Sequence, residues 1–365
     1  MKNIKILHTA DLHLDSAFEA LPAGKAAIRR AEQRELLSRL AELARSERAD
    51  IVLLAGDIFD GGGTYFETGA EFVRCLRDMS VPVFIAPGNH DPYDARSPYA
   101  KLDIPQNVRI FTERDVECAE LPELGVRVYG AAFTGSTDGP DITNIRTERA
   151  EGTWNILCAH GEVGFDPVNE QALSASGLDY AALGHIHKAS GLRRSGGTWY
   201  SWPGCPEGRG FDETGEKTVS IVELLDSGCR LTPVCIASRR YEILPVEVTG
   251  CDPLLAVHTV LPENTARDVY RIVLTGEVDT PPDLSRLRRN LDDCFFSLQL
   301  RDETRLRQDV WERAEEDSLR GIFLRRLREK YDSAQAEERE LIEQAARWGL
   351  AALDNMEEVV RHEDK

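Results

Sequence analysis

The stretch Ile51-Val52-Leu53-Leu54-Ala55-Gly56-Asp57-Ile58-Phe59-Asp60 decides the fold. An unbroken apolar run of strand length, bounded by glycine, gives way to two carboxylates. Such a run suits a strand covered on both faces, as in the parallel sheet of an α/β domain. The flanking sequence agrees. Ile4–His8 is a short apolar strand, and Lys25–Arg48 has helical spacing at Leu36, Leu40 and Leu43. Downstream, Phe66–Met79 reads as a second helix and Val81–Ala86 as a third strand. Further apolar runs follow at Val126–Ala131, Asn155–Ala159, Tyr180–Leu183 and Thr218–Leu224. Helices alternating with apolar strands predict an α/β layered domain over residues 1–240.

Histidine is rare, eight in all, and five of the eight fall in short polar clusters at predicted strand ends. Asp11-Leu12-His13 follows Ile4–His8, and Gly56-Asp57-Ile58-Phe59-Asp60 closes the second strand. Gly88-Asn89-His90-Asp91 follows the third, His160-Gly161 follows Asn155–Ala159, and Gly184-His185-Ile186-His187 follows Tyr180–Leu183. Ligands of layered α/β domains bind beyond the carboxyl ends of the strands, so these ends are expected to converge on one crevice. Residues two apart leaving a strand face the same side, which lets both ends of Asp-x-His or His-x-His reach one centre. Imidazole, carboxylate and amide-oxygen donors together suit Mn²⁺, Fe²⁺ or Zn²⁺ better than Ca²⁺ or Cu⁺. Six or seven such donors exceed what one tetrahedral ion needs, and two ions bridged by a carboxylate fit better. Taken singly each cluster has an ordinary explanation: Asp57 as a helix N-cap, Asn89 as a turn residue. Five in order, each at a strand end, do not.

The chain has 365 residues, 42% hydrophobic and 29% charged, enough apolar sequence to bury a sizeable core. No apolar run approaches the ~18 residues of a bilayer span. Met1-Lys2-Asn3-Ile4 lacks the basic and apolar blocks of a signal peptide, so a cytoplasmic protein without a membrane segment is expected. With 63 acidic and 44 basic residues the formal charge is −19, a field that repels polyanions. A phosphate-bearing substrate must therefore be held by a local device, and bound metal ions would serve. The eight cysteines contain no Cys-x-x-Cys pair and read as reduced thiols.

From about Glu242 the pattern changes. Strand-like Ile243–Val248, helical Pro253–Val260, strand-like Val269–Leu274, helical Leu284–Asp293 and strand-like Phe295–Leu300 predict a small α+β domain over residues 241–304. Residues 305–365 read as a charged helical tail. Leu341, Ala345, Trp348, Ala352, Met356 and Val359 form one apolar stripe, to be covered by a partner, by a second copy in a homodimer, or by the chain itself.

The ordered set Asp-x-His, Gly-Asp-x-x-Asp, Gly-Asn-His-Asp, His-Gly, Gly-His-x-His resembles the signature of the calcineurin-like metallophosphoesterase superfamily. His8-Thr9-Ala10-Asp11-Leu12-His13-Leu14-Asp15 and Ala55–Asp60 resemble the SbcD-type DNA repair exonucleases. Pro203–Gly215, with Gly208-Arg209, Phe211 and Glu213-Thr214-Gly215, is most similar to the bacterial YhaO-like branch. The resemblance implies a layered α/β/β/α sandwich, with the α+β unit as a cap domain. It implies two divalent metal ions, manganese foremost, with iron or zinc as alternatives. Asp11, His13, Asp57 and His187 would hold the first, and Asp57 would bridge to the second, completed by Asn89, His160 and His185. His90 would protonate the leaving oxygen, with Asp60 orienting it. The implied activity is phosphodiester hydrolysis in DNA by a metal-activated water, with an SbcC-like coiled-coil ATPase as partner on the tail.

Two other functions share these residues: a phosphatase or phosphodiesterase acting on small molecules, and a scaffold subunit that has kept the fold without the chemistry. Outside the clusters, His8 reads as a packing residue, and His258 and His362 as non-catalytic. Asp15 and Asp91 suit either support of the ligand histidines or caps and turns. Arg193, Arg194, Arg209 and Lys188 suit either substrate-backbone contacts or a solvated surface.

Overall fold

Strands β1 (Ile4–Thr9), β2 (Ile51–Leu54), β3 (Val83–Ile85) and β4 (Val108–Ile110) lie in parallel, so the ends of β1, β2 and β3 reach one sheet edge. The computed structural model describes all residues except 62, 141, 143, 164–166, 279, 307–309 and 364–365. It describes no side chain at 163, 167–168, 336–337, 340, 351 or 354–363. Helices α1 (Ala23–Ser46) and α2 (Phe66–Asp78) make the crossovers that join these parallel strands. A second sheet is built from β5 (Glu117–Leu121), β6 (Val126–Gly130), β7 (Trp154–His160), β8 (Tyr180–Gly184), β9 (Arg193–Ser195) and β10 (Thr198–Ser201), in the order β9-β10-β8-β7-β6-β5. Here β6, β7, β8 and β10 are parallel, and the register Gly184↔His160 aligns the ends of β7 and β8. The chain then returns to the first sheet as the antiparallel pair β11 (Thr218–Leu225) and β12 (Gly228–Cys235), giving β12-β11-β1-β2-β3-β4.

Alternation along the strands divides the apolar residues into three layers. Ile4, Ile6, Ile51, Leu53 and Phe84 of the first sheet pack against Val128, Ile156, Cys158, Tyr180 and Ala182 of the second. Leu7, Val52, Leu54 and Ile85 face the other way, onto Leu36, Leu37 and Leu40 of α1 and Phe72 and Leu76 of α2. Beyond the second sheet, Leu157, Ala159 and Leu183 are covered by Ile142, Ile145, Leu173 and Trp202. Strands covered on both faces are why these runs read as uninterrupted hydrophobics. The expected layered sandwich is borne out.

The rest of the chain carries β13 (Tyr241–Glu247), α3 (Pro253–Val260), β14 (Val269–Thr275), α4 (Leu284–Leu291), β15 (Ser297–Asp302), α5 (Leu319–Ser333) and α6 (Ala336–Glu363), with strand order β13-β14-β15. By contact density the chain forms two units. Met1–Pro245, Val260–Val273 and Ser285–Arg301 make the first; Val246–Thr259, Leu274–Leu284 and Asp302–Lys365 make the second. In the second, Val310, Ala314, Leu324 and Ala346 form a small core against Phe323, Leu327 and Leu350. The region after Thr304 is not continuous helix: Arg305–Leu306 pairs with Glu277–Val278, and α5 stops at Ala334 before α6 begins. Leu341, Ala345, Trp348 and Ala352 of the expected stripe are exposed, so among the described residues this unit does not cover the stripe itself, and Ala346 beside it turns inward. The side chains of Met356, Val359 and His362 lie outside the described residues. Among the described residues no helix is long and apolar enough to cross a membrane. All eight cysteines are free thiols.

Candidate metal centre

Four of the expected ligands hold left-handed backbone without being glycine: Asp11 (φ 54°), His13 (φ 45°), Asp57 (φ 51°) and His185 (φ 98°). Each such residue costs roughly 1–3 kcal/mol and persists only where its surroundings fix it. Here the loops after β1 and β2 fix each other. Asp11 N donates to Gly56 O (2.9 Å), His13 N to Asp57 O (2.9 Å) and Leu14 N to Ile58 O (2.8 Å). Parallel pairing thus continues past the strands, and side chains turn inward where a strand would have carried them apart. Two glycines allow the layers to close. A Cβ on Gly88 would strike the carboxylate and, at 2.6 Å, the backbone nitrogen of Asp57; one on Gly184 would strike the Ala55 carbonyl oxygen.

The seven expected ligands converge. Asp11, His13 and His187 form one group and Asp11, Asp57 and His160 another, with donor atoms mutually within 4.8 Å. Asp57 Oδ2 stands between them, 3.6 Å from His13 Nε2 and 3.3 Å from His160 Nε2. Asn89 Oδ1 is 3.0 Å from His160 Nε2, and the His185 ring packs edge-on to His160 at 5.3 Å. The backbone N–H of His185 donates to both oxygens of Asp11 (3.0 and 3.1 Å), and that of His90 to Asp57 Oδ1 (2.9 Å). His90 is 48% exposed, with Nδ1 3.4 Å from Asp60 Oδ1. His13, Asp60 and His90 form a third group.

Whether these donors suit a cation is decided by their protons. His13 Nδ1 donates to Asp60 Oδ1 (3.3 Å) and His160 Nδ1 to the Ala55 carbonyl (2.9 Å). His187 Nδ1 lies 2.7 Å from Glu213 Oε1 and 3.3 Å from Arg209 Nη2; the nearer carboxylate takes the ring proton. With each Nδ1 engaged, each ring in its deprotonated form offers its lone pair on Nε2. His13 Nε2 and His187 Nε2 are only 3.2 Å apart. Converging lone pairs and carboxylates fit divalent cations.

The electrostatics carry the same imprint. Burial would raise Asp57, yet the His160 and His13 rings and the His90 N–H hold it well below the usual carboxylate range. Burial lowers His160, but Asp57 and Asp11 outweigh it and lift the ring to about 9. Asp11 goes up to about 6, chiefly through burial. The bond from His13 draws Asp60 down to about 2.

Sequence reasoning missed the outer frame. Glu213 is the partner of His187, and Arg209 binds it in turn (Nη2 to Oε1, 2.7 Å) while standing 4.0 Å from Asp60. Arg209 is therefore engaged by Glu213 and largely buried, in place of a solvated surface side chain. Fully buried Arg29 on α1 donates to Gly208 O (3.0 Å) and pairs with Glu207 (2.8 Å) and Glu32 (2.5 Å), anchoring the loop that carries Arg209 and Glu213. The sequence signal was the Gly208-Arg209 and Glu213-Thr214-Gly215 motif, to which no role toward His187 was given. Asp15 and Asp91 act through turns. Asp15 accepts from Tyr65 N, Thr64 Oγ1 and Thr68 Oγ1; Asp91 accepts from the N–H groups of Asp57, Ile58, Phe59 and Gly88 and from Tyr99 Oη. His8 is buried against Tyr180 Oη (2.9 Å), the packing role expected. Arg193 and Arg194 lie over Trp202 and Trp199.

Residues 4–189, just over half of the chain, match the calcineurin-like phosphoesterase family. The chain belongs to the calcineurin-like phosphoesterases. Within this family it is 26% identical over 325 residues to the uncharacterized metallophosphoesterase YhaO of Bacillus subtilis, covering 82% of this chain and 78% of that protein. The DNA double-strand break repair protein Mre11 of Aeropyrum pernix is 29% identical over 227 residues, 55% of this chain and 53% of its own. An SbcCD nuclease subunit of Bacillus subtilis is 26% identical over 266 residues, 60% and 66% respectively. The chain thus spans about half the length of the Mre11 relative and about two thirds of the SbcCD nuclease subunit. The expected likeness to SbcD-type and YhaO-like proteins is borne out, and the paired clusters are the candidate ligands of this phosphoesterase's dinuclear metal site.

Proposed function

We propose that this phosphoesterase is a metal-dependent DNA nuclease. The observation that carries the reading is the pair of ligand groups joined at Asp11, with Asp57 Oδ2 within reach of both His13 and His160 and exposed His90 beside them on Asp60. Asp11, His13, Asp57 and His187 would hold one divalent cation and Asp57, Asn89, His160 and His185 the other. Bound there, two cations, manganese foremost, would neutralise charge on a phosphate and acidify a water between them. The chain's own residues do the rest. Asp60 engages Nδ1 of His90, leaving Nε2 to deliver a proton to the departing oxygen. Asp91 holds four backbone N–H groups around Asp57 and Gly88, fixing the shared carboxylate before substrate arrives. Kinship with Mre11 and an SbcCD nuclease subunit supports DNA as the substrate. On this reading residues 241–304 help position DNA, and exposed Leu341 and Trp348 on α6 are offered to an SbcC-like coiled-coil ATPase.

The test is direct. Metal-stripped protein is given Mn²⁺ and assayed on end-labelled DNA, a bis-aryl phosphodiester and an aryl monoester. Cleavage of DNA and diester is expected; strong preference for the monoester overturns the nuclease reading.

A further inference from the structure

A cavity of ≈ 370 Å³ opens at the start of α1, away from the ligand clusters. Lys25 of α1 and Arg288 of α4 line it, with Phe211, Gln299 and Asp292. Arg271 of β14 adjoins: its Nε donates to Gln299 Oε1 (2.5 Å), and its guanidinium lies 4.0 Å from the Phe211 ring centre. Other arginines of this unit are neutralised, Arg29 and Arg39 by Glu207, Arg239 by Glu32 and Arg240 by Asp268. Lys25, Arg271 and Arg288 are different. No carboxylate among the described residues pairs with any of them, although the chain carries a formal charge of −19. Burial and the like charge of Arg301 pull the Arg271 pKa down, the mark of a cation lacking its counter-ion.

We propose that this cavity is a phosphomonoester site, seating a terminal phosphate of the substrate strand. Two lining cations and the adjoining Arg271 outweigh the one lining carboxylate, and this positive excess favours a monoester of about −1.5 to −2 over a singly charged diester. Buried Leu21, Val269 and Leu298 form its apolar wall, and in a nucleic acid a phosphomonoester occurs only at a chain end. Its size lies within the ~300–1,000 Å³ of small-ligand sites. Phe211 is two residues from Arg209 and two from Glu213, so its Cα lies within ~7 Å of theirs. A phosphate held here fixes a strand end relative to the catalytic cluster, making strand-end chemistry a determinant of cleavage. The strand-end assignment rests on the nuclease reading; the phosphate site does not.

The full chain, treated with chelator, is titrated calorimetrically with inorganic phosphate, adenosine 5′-monophosphate and adenosine. Phosphate-dependent binding is expected, weakened about tenfold or more in Lys25→Gln/Arg288→Gln. Exposed Arg288→Gln alone serves if the double variant melts early. Equal binding by wild type and variants, or none, overturns the site as merely a cationic surface. In a second arm the manganese-loaded protein is given 5′-phosphorylated, 3′-phosphorylated and unphosphorylated oligonucleotides, and a bis-aryl phosphodiester. Preference for one phosphorylated end, lost in the variant while bis-aryl turnover is unchanged, supports the strand-end seat. Cleavage indifferent to end phosphates overturns it. Diester turnover without cleavage of any oligonucleotide fails the nuclease reading alone, and phosphate binding then assigns the cavity to a free phosphomonoester.

Discussion

Glu213 Oε1 stands 2.7 Å from Nδ1 of His187, and the same oxygen accepts from Arg209 at 2.7 Å. The pair sets the ring's tautomer and direction from outside the ligand cluster. Glu213→Gln keeps shape and removes charge, so Mn²⁺ affinity should fall about 10–100-fold. Equilibrium dialysis with elemental analysis measures it directly; wild-type affinity would show that Glu213 serves only the loop.

Asp57 Oδ2 lies 3.6 Å from His13 Nε2 and 3.3 Å from His160 Nε2, the position proposed for a bridging carboxylate. Asp57→Ala should release both cations, whereas His160→Ala should spare the first. Elemental analysis still finding two ions per chain in Asp57→Ala would refute the bridging role.

His90 is half exposed, edge-on to His13 with its Nδ1 against Asp60, and belongs to neither of the two groups proposed to hold the cations. His90→Ala should therefore retain both cations but lose ~10²–10⁴-fold in turnover. Undiminished turnover on a bis-aryl phosphodiester would remove it from the reaction.

Arg29 is buried against Glu207, so Arg29→Met strands a buried carboxylate. Breaking such pairs costs about 3–5 kcal/mol, and the lower end is expected because Arg39 and the N–H groups of Ser238 and Arg239 still serve Glu207. Urea unfolding reads the loss; an unchanged midpoint contradicts the anchoring role.

Burial raises Glu32, but its bonds from Arg239 and Arg29 prevail and hold it below the ordinary value of 4.5. A depressed acid stabilises the fold above its unfolded-state pKa, and that contribution disappears as pH falls through the folded-state value. Wild type should thus exceed Glu32→Gln in stability at pH 7, the gap closing below pH 4.5. A gap independent of pH would locate the effect in packing.

The core strands and the site were legible for the same reason. Strands buried on both faces are uninterrupted apolar runs, and the polar residues at their exits stand out against them. Half-solvated edge strands lacked that contrast: β5, β9 and β12 alternate or are largely polar, and β12 contains Pro233, so none was expected. The role of Glu213 and the whole of Arg29 escaped because their meaning lies in contacts across 26 and 179 residues of sequence, to His187 and Gly208. Asp91 was seen but left between two roles; only the fold shows that it gathers N–H groups instead of an imidazole. The tail's periodicity was real, yet Ala346, a residue off the stripe, is the one turned inward.

The absence of a side chain at position 88 has an outcome of its own. A single methyl there would press on the backbone and carboxylate of Asp57 together, so neither could swing clear. Descendants of this chain can therefore abandon hydrolysis through one added carbon while every histidine stays in place, and a roll-call of the conspicuous ligands would pass a protein whose centre no longer closes.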